Sequence, residues 1–175
     1  MNSKLSTAYK KLEDSRQQLL NELSNVPAEK LQTSPAPGKW SVAQVFYHLN
    51  KAESLSVQYI NKKKLDVKNL QKTGFKEWLR LLIVKLGFLS PIKFKAPVNL
   101  LGDVPEKVSY TEIVGQWNDT RKRLIQALED MPEDLLKKNV FKQPAAGRVN
   151  IYQMIEFMQF HFNRHSVQAL NAAKS

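Results

Sequence analysis

Three times along this chain a small polar residue stands three positions ahead of a Gln or Glu, with an apolar residue just before the pair and another just after it. Ser41 and Gln44 are flanked by Trp40 and Val45, Ser109 and Glu112 by Val108 and Ile113, and Asn150 and Gln153 by Val149 and Met154. The first backbone N–H groups of a helix have no intrahelical acceptor. A small polar side chain supplies one, the longer side chain reaches back to the cap, and the two apolar residues clip the chain to the first turn. Asn150 departs from the Ser/Thr form of this signature but offers the same kind of acceptor.

Behind each start, apolar residues recur at helical spacing. The pattern predicts helices from Ser41 to about Lys64, from Tyr110 to about Asp130 (Ile113, Trp117, Leu124 and Leu128 on one side), and from Ile151 to about Ala173. An earlier one runs from Ser3 to Ser24, with Leu5, Tyr9, Leu12, Leu19 and Leu23 on one stripe. Four long helices, each with one apolar stripe, bury those stripes against one another, so the expected fold is an all-α four-helix bundle.

Pro27 and the stretch from Thr33 to Gly38, with Pro35 and Pro37, end the first helix and form a connecting loop, and Met131-Pro132 ends the third long helix. The segment from about Leu65 to Ser109 is a long basic insertion or crossover with a short helix around Lys76 to Leu86; its length leaves the relative direction of its neighbours open. No segment alternates as a strand does, and there is no internal repeat. With 175 residues, 42% of them apolar, the chain is expected to form a single domain, 1–175.

The chain has no cysteine, which excludes disulfides, thiolate ligands and a protein-borne thiol nucleophile. The amino-terminal residues alternate charge with leucine and do not read as a secretory signal. The longest apolar run, Trp78 to Leu89, is interrupted by Arg80 and Lys85 and falls short of the roughly 20 residues of a membrane span. The expected location is cytoplasmic.

The net charge of +11 is unevenly spread, because residues 61–107 hold eleven Lys and Arg against four Asp and Glu. Lys62-Lys63-Lys64 and the mixed aromatic and basic stretch from Phe75 to Phe94 raise nucleic acid or an anionic membrane as partners. Basic runs are more often plain solvated surface, so a small-molecule substrate is the favoured partner. A homodimer is compatible with the sequence.

There are three histidines. At about 100° per residue, His161 and His165 lie roughly 40° apart on the last helix and share a face with Met154, Met158 and Gln168. His48 falls in a stripe with Val45, Ala52, Leu55 and Tyr59, one turn after Gln44. If the second and fourth long helices are neighbours, the three imidazoles converge and leave coordination positions open, as in a catalytic metal site. Core histidines bonded only to protein are the competing interpretation, and the residues alone leave the two evenly matched. Gln44 and Gln168 are candidates to orient an imidazole or a bound ligand, although capping and polar packing also account for them. Met154 and Met158 read as core filler and Trp40 as an apolar clip. Glu53, about 140° round the helix from His48, is expected at the bundle boundary, and Glu156 points away from the His161 face.

The stretch from Pro35 to Leu49, PAPGKWSVAQVFYHL, is similar to the second-helix start of the DinB/YfiT-like family, where a Trp-Ser cap precedes a His-Leu pair. The stretch from His161 to Gln168, HFNRHSVQ, resembles that family's closing motif, a His-x-x-x-His pair followed by glutamine. The family consists of four-helix bundles with a three-histidine metal site, so the resemblance implies one divalent metal, nickel or zinc, on His48, His161 and His165. Relatives that transfer bacillithiol or isomerise with mycothiol make a low-molecular-weight thiol a candidate cosubstrate.

Three imidazoles and an open position suit a Lewis acid that lowers the pKa of bound water or binds a thiolate. No carboxylate is well placed as a general base, so no catalytic side chain is assigned. This favours a metal-dependent transferase acting with a small thiol over a metal-dependent hydrolase. A non-catalytic metal-binding protein and a basic-surface binding module remain alternatives.

Overall fold

The computed structural model describes residues 1–64, 70–89, 103–143 and 147–175. In chain order these form α1 (Ser3–Leu23), α2 (Ala28–Gln32), α3 (Val42–Lys64), α4 (Phe75–Leu89), α5 (Tyr110–Glu129), a 3-10 turn (Glu133–Leu135), β1 (Phe141–Gln143), β2 (Gly147–Val149) and α6 (Ile151–Lys174). Parts of the basic segment, 65–69 and 90–102, lie outside the described residues.

Local capping chemistry sets the helix starts. Ser41 N–H donates to Gln44 Oε1 at 2.9 Å while Gln44 N–H donates to Ser41 Oγ at 3.1 Å. Asn150 and Gln153 close the same reciprocal pair at 3.0 Å in each direction, so the amide cap works as fully as the serine. At α5, Ser109 Oγ accepts from Glu112 N–H at 3.3 Å. Each bond satisfies an N–H that the helix leaves without an acceptor.

The four long helices close a ring: α1 packs on α6 and α5, and α3 packs on α5 and α6, which places α1 and α3 at opposite corners. This is an all-α four-helix bundle. The core runs through Leu5, Leu12, Phe46, Ile60, Trp117, Leu124 and Met154, all buried. The Phe46 and Trp117 rings meet with centroids 5.1 Å apart. Among the described residues, no helix is long and apolar enough to cross a membrane.

Three features depart from the sequence expectation. The one-turn-plus helix α2 sits inside what reads as the end of a helix and a proline-rich loop. A small antiparallel hairpin precedes α6, with Phe141 opposite Val149, although no strand was expected. Strands of three residues are too short to alternate visibly, and Gly147, at φ 80°, takes the left-handed backbone that favours glycine.

The third departure is the rotation of α3. Leu55, expected inward, is exposed, whereas Phe46, Leu49, Glu53, Val57 and Ile60 are buried. Glu53, expected at the bundle boundary, is 3% exposed. Its carboxylate accepts from Arg121 Nε and Nη2, each at 2.8 Å, and from Trp117 Nε1, also at 2.8 Å. Arg16 of α1 and Arg121 of α5 sit over the Trp117 ring, 5.5 and 5.7 Å from its centroid, and Glu13 bridges the two guanidinium groups. Hydropathy puts a glutamate outside, but a glutamate with three donors can be nearly as buried as the apolar residues of its helix.

Candidate metal centre

His48 lies in the second turn of α3 and is 8% exposed. His161 and His165 lie one turn apart about the middle of α6, both half-buried. Because α3 and α6 are neighbours, the three rings meet: one nitrogen from each lies within 4.8 Å of the other two. The ring centroids are separated by 5.0 Å (His48 to His161), 4.6 Å (His48 to His165) and 4.7 Å (His161 to His165). The Nε2 atoms of His48 and His161 are 3.0 Å apart.

This spacing fits a metal. Two ligand nitrogens at roughly 2.0–2.1 Å from a tetrahedral ion stand about 3.4 Å from one another, a distance within the range observed. The donors are also in the right protonation state. Burial pushes His48 down to about 4, with the nearby His165 adding to the effect. His161 falls well below its ordinary value through desolvation, then through His165, His48 and Arg164. His165 is lowered by burial, against its hydrogen bond to Gln168, which raises it. All three rings are therefore neutral at pH 7, the form that offers a lone pair.

Without metal, the unfolded chain takes up these protons near pH 6.5, before the folded one does, so stability is complete above that pH and falls as pH drops toward 4. The shift of His48 alone corresponds to roughly 3 kcal/mol at the acid end. Urea titrations at pH 7.5, 5.5 and 4 are expected to show this loss, and His48→Gln is expected to reduce it, with His161 and His165 supplying the remainder. Constant stability from pH 7 to 5 would contradict the burial of neutral rings.

The two glutamines part company. Gln168, although exposed, places Oε1 2.9 Å from His165 Nδ1, where it accepts the N–H and leaves Nε2 free to ligate. Gln44 does not reach an imidazole through the hydrogen bonds of the described residues. Its Oε1 serves the α3 cap, and its Nε2 donates to the carbonyls of Pro105 at 2.8 Å and Glu106 at 3.2 Å, tying the 103–109 strand of chain to α3. The capping interpretation accounts for it.

Two aromatic residues that the sequence assigned to packing or left unmentioned flank the site. Trp40 lies against His48, centroids 5.2 Å apart, and Phe157 stacks on His161 at 5.8 Å with the planes 10° apart. The signals available were positional: Trp40 directly precedes the cap of the helix bearing His48, and Phe157 is one turn before His161. Trp40 also lines a recess of about 600 Å³ formed by residues 34–40 with Gln44 and Glu106. Met154 and Met158 are buried before the histidines and Gln168 is exposed one turn after them, while Ala169 and Ala173 keep the end of α6 packed, so the half-buried His161 and His165 rings lie at the border between core and solvent. Glu156 is exposed.

A sequence profile described as the DinB superfamily matches residues 11–169, spanning all four long helices and the three histidines. The chain belongs to the DinB superfamily. A relative among curated proteins is "Uncharacterized protein YuaE" of Bacillus subtilis (strain 168), 22% identical over 157 residues, which cover 89% of this chain and 90% of YuaE. In this DinB-superfamily chain the converging histidines fit a metal-binding site, and among the described residues they form a group of potential ligands held at one point by two different helices.

Proposed function

We propose that the chain is a metal-dependent transferase in which His48, His161 and His165 hold one divalent ion, nickel or zinc, whose open side admits a small-molecule thiol and an electrophile. Imidazole donors suit both metals. The observation that carries the reading is three imidazoles on one point, each held toward its neutral form by burial, with no Asp or Glu among the described residues that shift them. A hydrolase wants a base within reach of the water it activates. A thiol needs only to lose its proton, and this chain, having no cysteine, would take it from solution.

When bound, the ion would supply Lewis acidity that lowers the pKa of a thiol on its open side. Gln168 fixes the tautomer of His165, and Trp40 and Phe157 hold the planes of His48 and His161, so the three nitrogens keep their aim. In the transfer, the thiol sulfur forms the bond to the electrophilic carbon. The leaving group departs with its electron pair, and the thiol proton passes to solvent.

The test is to load the protein with cobalt, nickel or zinc and present low-molecular-weight thiols with an alkylating electrophile. The expected outcome is a thiol-dependent charge-transfer band in the cobalt or nickel protein and metal-dependent loss of free thiol. An ion that binds but shows neither a band nor turnover with any thiol would remove the transferase reading, and metal-dependent ester hydrolysis under the same conditions would replace it with a hydrolase.

A further inference from the structure

Of the eight large apolar side chains that stand exposed among the described residues, five belong to α4: Phe75, Trp78, Leu79, Ile83 and Leu86. At about 100° per residue they fall, with half-buried Leu82, on an arc of roughly 140°. The opposite side, with buried Leu81 and half-buried Val84, is the one set against the core, where α4 packs on α6 and β2. The helix therefore turns its broader and greasier face away from the protein. Phe75 is 72% exposed, and its ring stacks on that of Trp78 at 5.5 Å. A contiguous apolar face of this kind marks an interaction surface rather than scattered exposure.

Charge says what fits it. Lys72, Lys76 and Arg80 are exposed; Lys76 falls just beyond Ile83 at the edge of the arc, while Arg80 stands about 60° beyond Ile83 with its guanidinium near Gly147. The acidic residue in this helix, Glu77, turns its carboxylate back to accept from Gly74 N–H at 2.9 Å, which caps α4. The surrounding stretch, residues 61–107, carries a balance of +7. Phe, Trp, Leu and Ile on one face with Lys at its border is the composition of a helix that lies in the headgroup region of an anionic bilayer. A nucleic-acid surface would want the cations at the centre of the face, not at its rim.

We propose that α4 docks the protein on an anionic lipid surface, with Phe75, Trp78, Leu79, Ile83 and Leu86 entering the headgroup boundary and Lys72 and Lys76 meeting lipid phosphates. The bundle stays in water, and the docking is peripheral and reversible.

The experiment uses the full chain with vesicles of phosphatidylcholine alone or mixed equally with phosphatidylglycerol, read by flotation and tryptophan emission. Binding to the anionic vesicles is expected to be at least about tenfold tighter, to weaken with salt, and to shift the emission to the blue. Trp78→Ser with Ile83→Ser is expected to lower binding at least about tenfold with helicity and melting temperature unchanged, since both side chains are exposed. Lys72→Gln with Lys76→Gln is expected to reduce the preference for anionic lipid. Several results would overturn the proposal: no partition onto anionic vesicles, binding unaffected by the serine variant, or retention on duplex DNA without vesicle binding. So would a dimer that the serine substitutions dissociate, or a marked drop in melting temperature, either of which would show that protein already covers this face.

Discussion

Replacing His161 by alanine is expected to lower the affinity for nickel or zinc at least about a hundredfold, because loss of a ligand should exceed the 10–100-fold penalty of losing a partner behind one. His161 is the strongest choice of the three. Its Nε2 faces that of His48 at 3.0 Å, and its ring neighbours both other imidazoles. Without it, the remaining pair spans two helices, and among the described residues no third donor completes the site. The readout is thermal. An ion at a thousand times its Kd stabilises the fold by about 4 kcal/mol, which for a chain of this size raises the melting temperature by roughly 8–16 °C. The wild type is expected to show such a rise and the alanine variant little or none. Equal rises in both would mean that the ion binds elsewhere. If the variant keeps its metal-free stability yet loses thiol turnover, the site is catalytic; if no turnover is ever found but the rise depends on His161, the site is structural or sensory.

How much of this was legible depends on how far apart the interacting residues lie in the chain. The caps Ser41, Ser109 and Asn150 act on residues three positions away, so the sequence alone locates the helix starts. His161 and His165 share one face by helix geometry, and Gln168 reaches His165 across three residues. The meeting with His48 needs α3 and α6 to be neighbours, which spacing does not determine and the family motifs imply. Glu53 was misplaced for the converse reason: its partners Trp117 and Arg121 are 64 and 68 positions away, so nothing local marks the carboxylate as satisfied. The stripe through Val45, His48, Ala52, Leu55 and Tyr59 points the α3 face slightly off the observed one, which leaves Leu55 exposed and Glu53 inside rather than at the bundle boundary. Gln44 was ambiguous because one side chain can cap its helix or orient an imidazole, and only the position of the carbonyls of Pro105 and Glu106 decides which.

The charge network makes the second large prediction, and it separates folding from the metal centre. Glu53→Ala removes the acceptor of a guanidinium and an indole that are both buried, since Arg121 is 2% and Trp117 0% exposed. Breaking a buried pair by deleting one member costs about 3–5 kcal/mol, because the surviving charge keeps its desolvation penalty without its compensation. Against a total stability of about 5–15 kcal/mol, this is expected to bring the urea midpoint down by about a fifth or more. Arg121 retains Glu13 at 3.4 Å, so the loss should fall short of complete unfolding. The double variant Glu53→Leu with Arg121→Met tests the cause, since it removes both charges and refills the space with apolar atoms. It is expected to be more stable than either single variant, with a coupling of at least about 1 kcal/mol in the cycle. A single-variant cost under about 1 kcal/mol, or strictly additive effects, would mean that the pair contributes little. Glu53 lies about 140° round α3 from His48, so the folded variant should still bind the ion. His161→Ala should lose the ion and keep the fold, while Glu53→Ala should weaken the fold and keep the ion. That opposition is what a bundle with its charges clamped in the core and its imidazoles at the border between core and solvent requires.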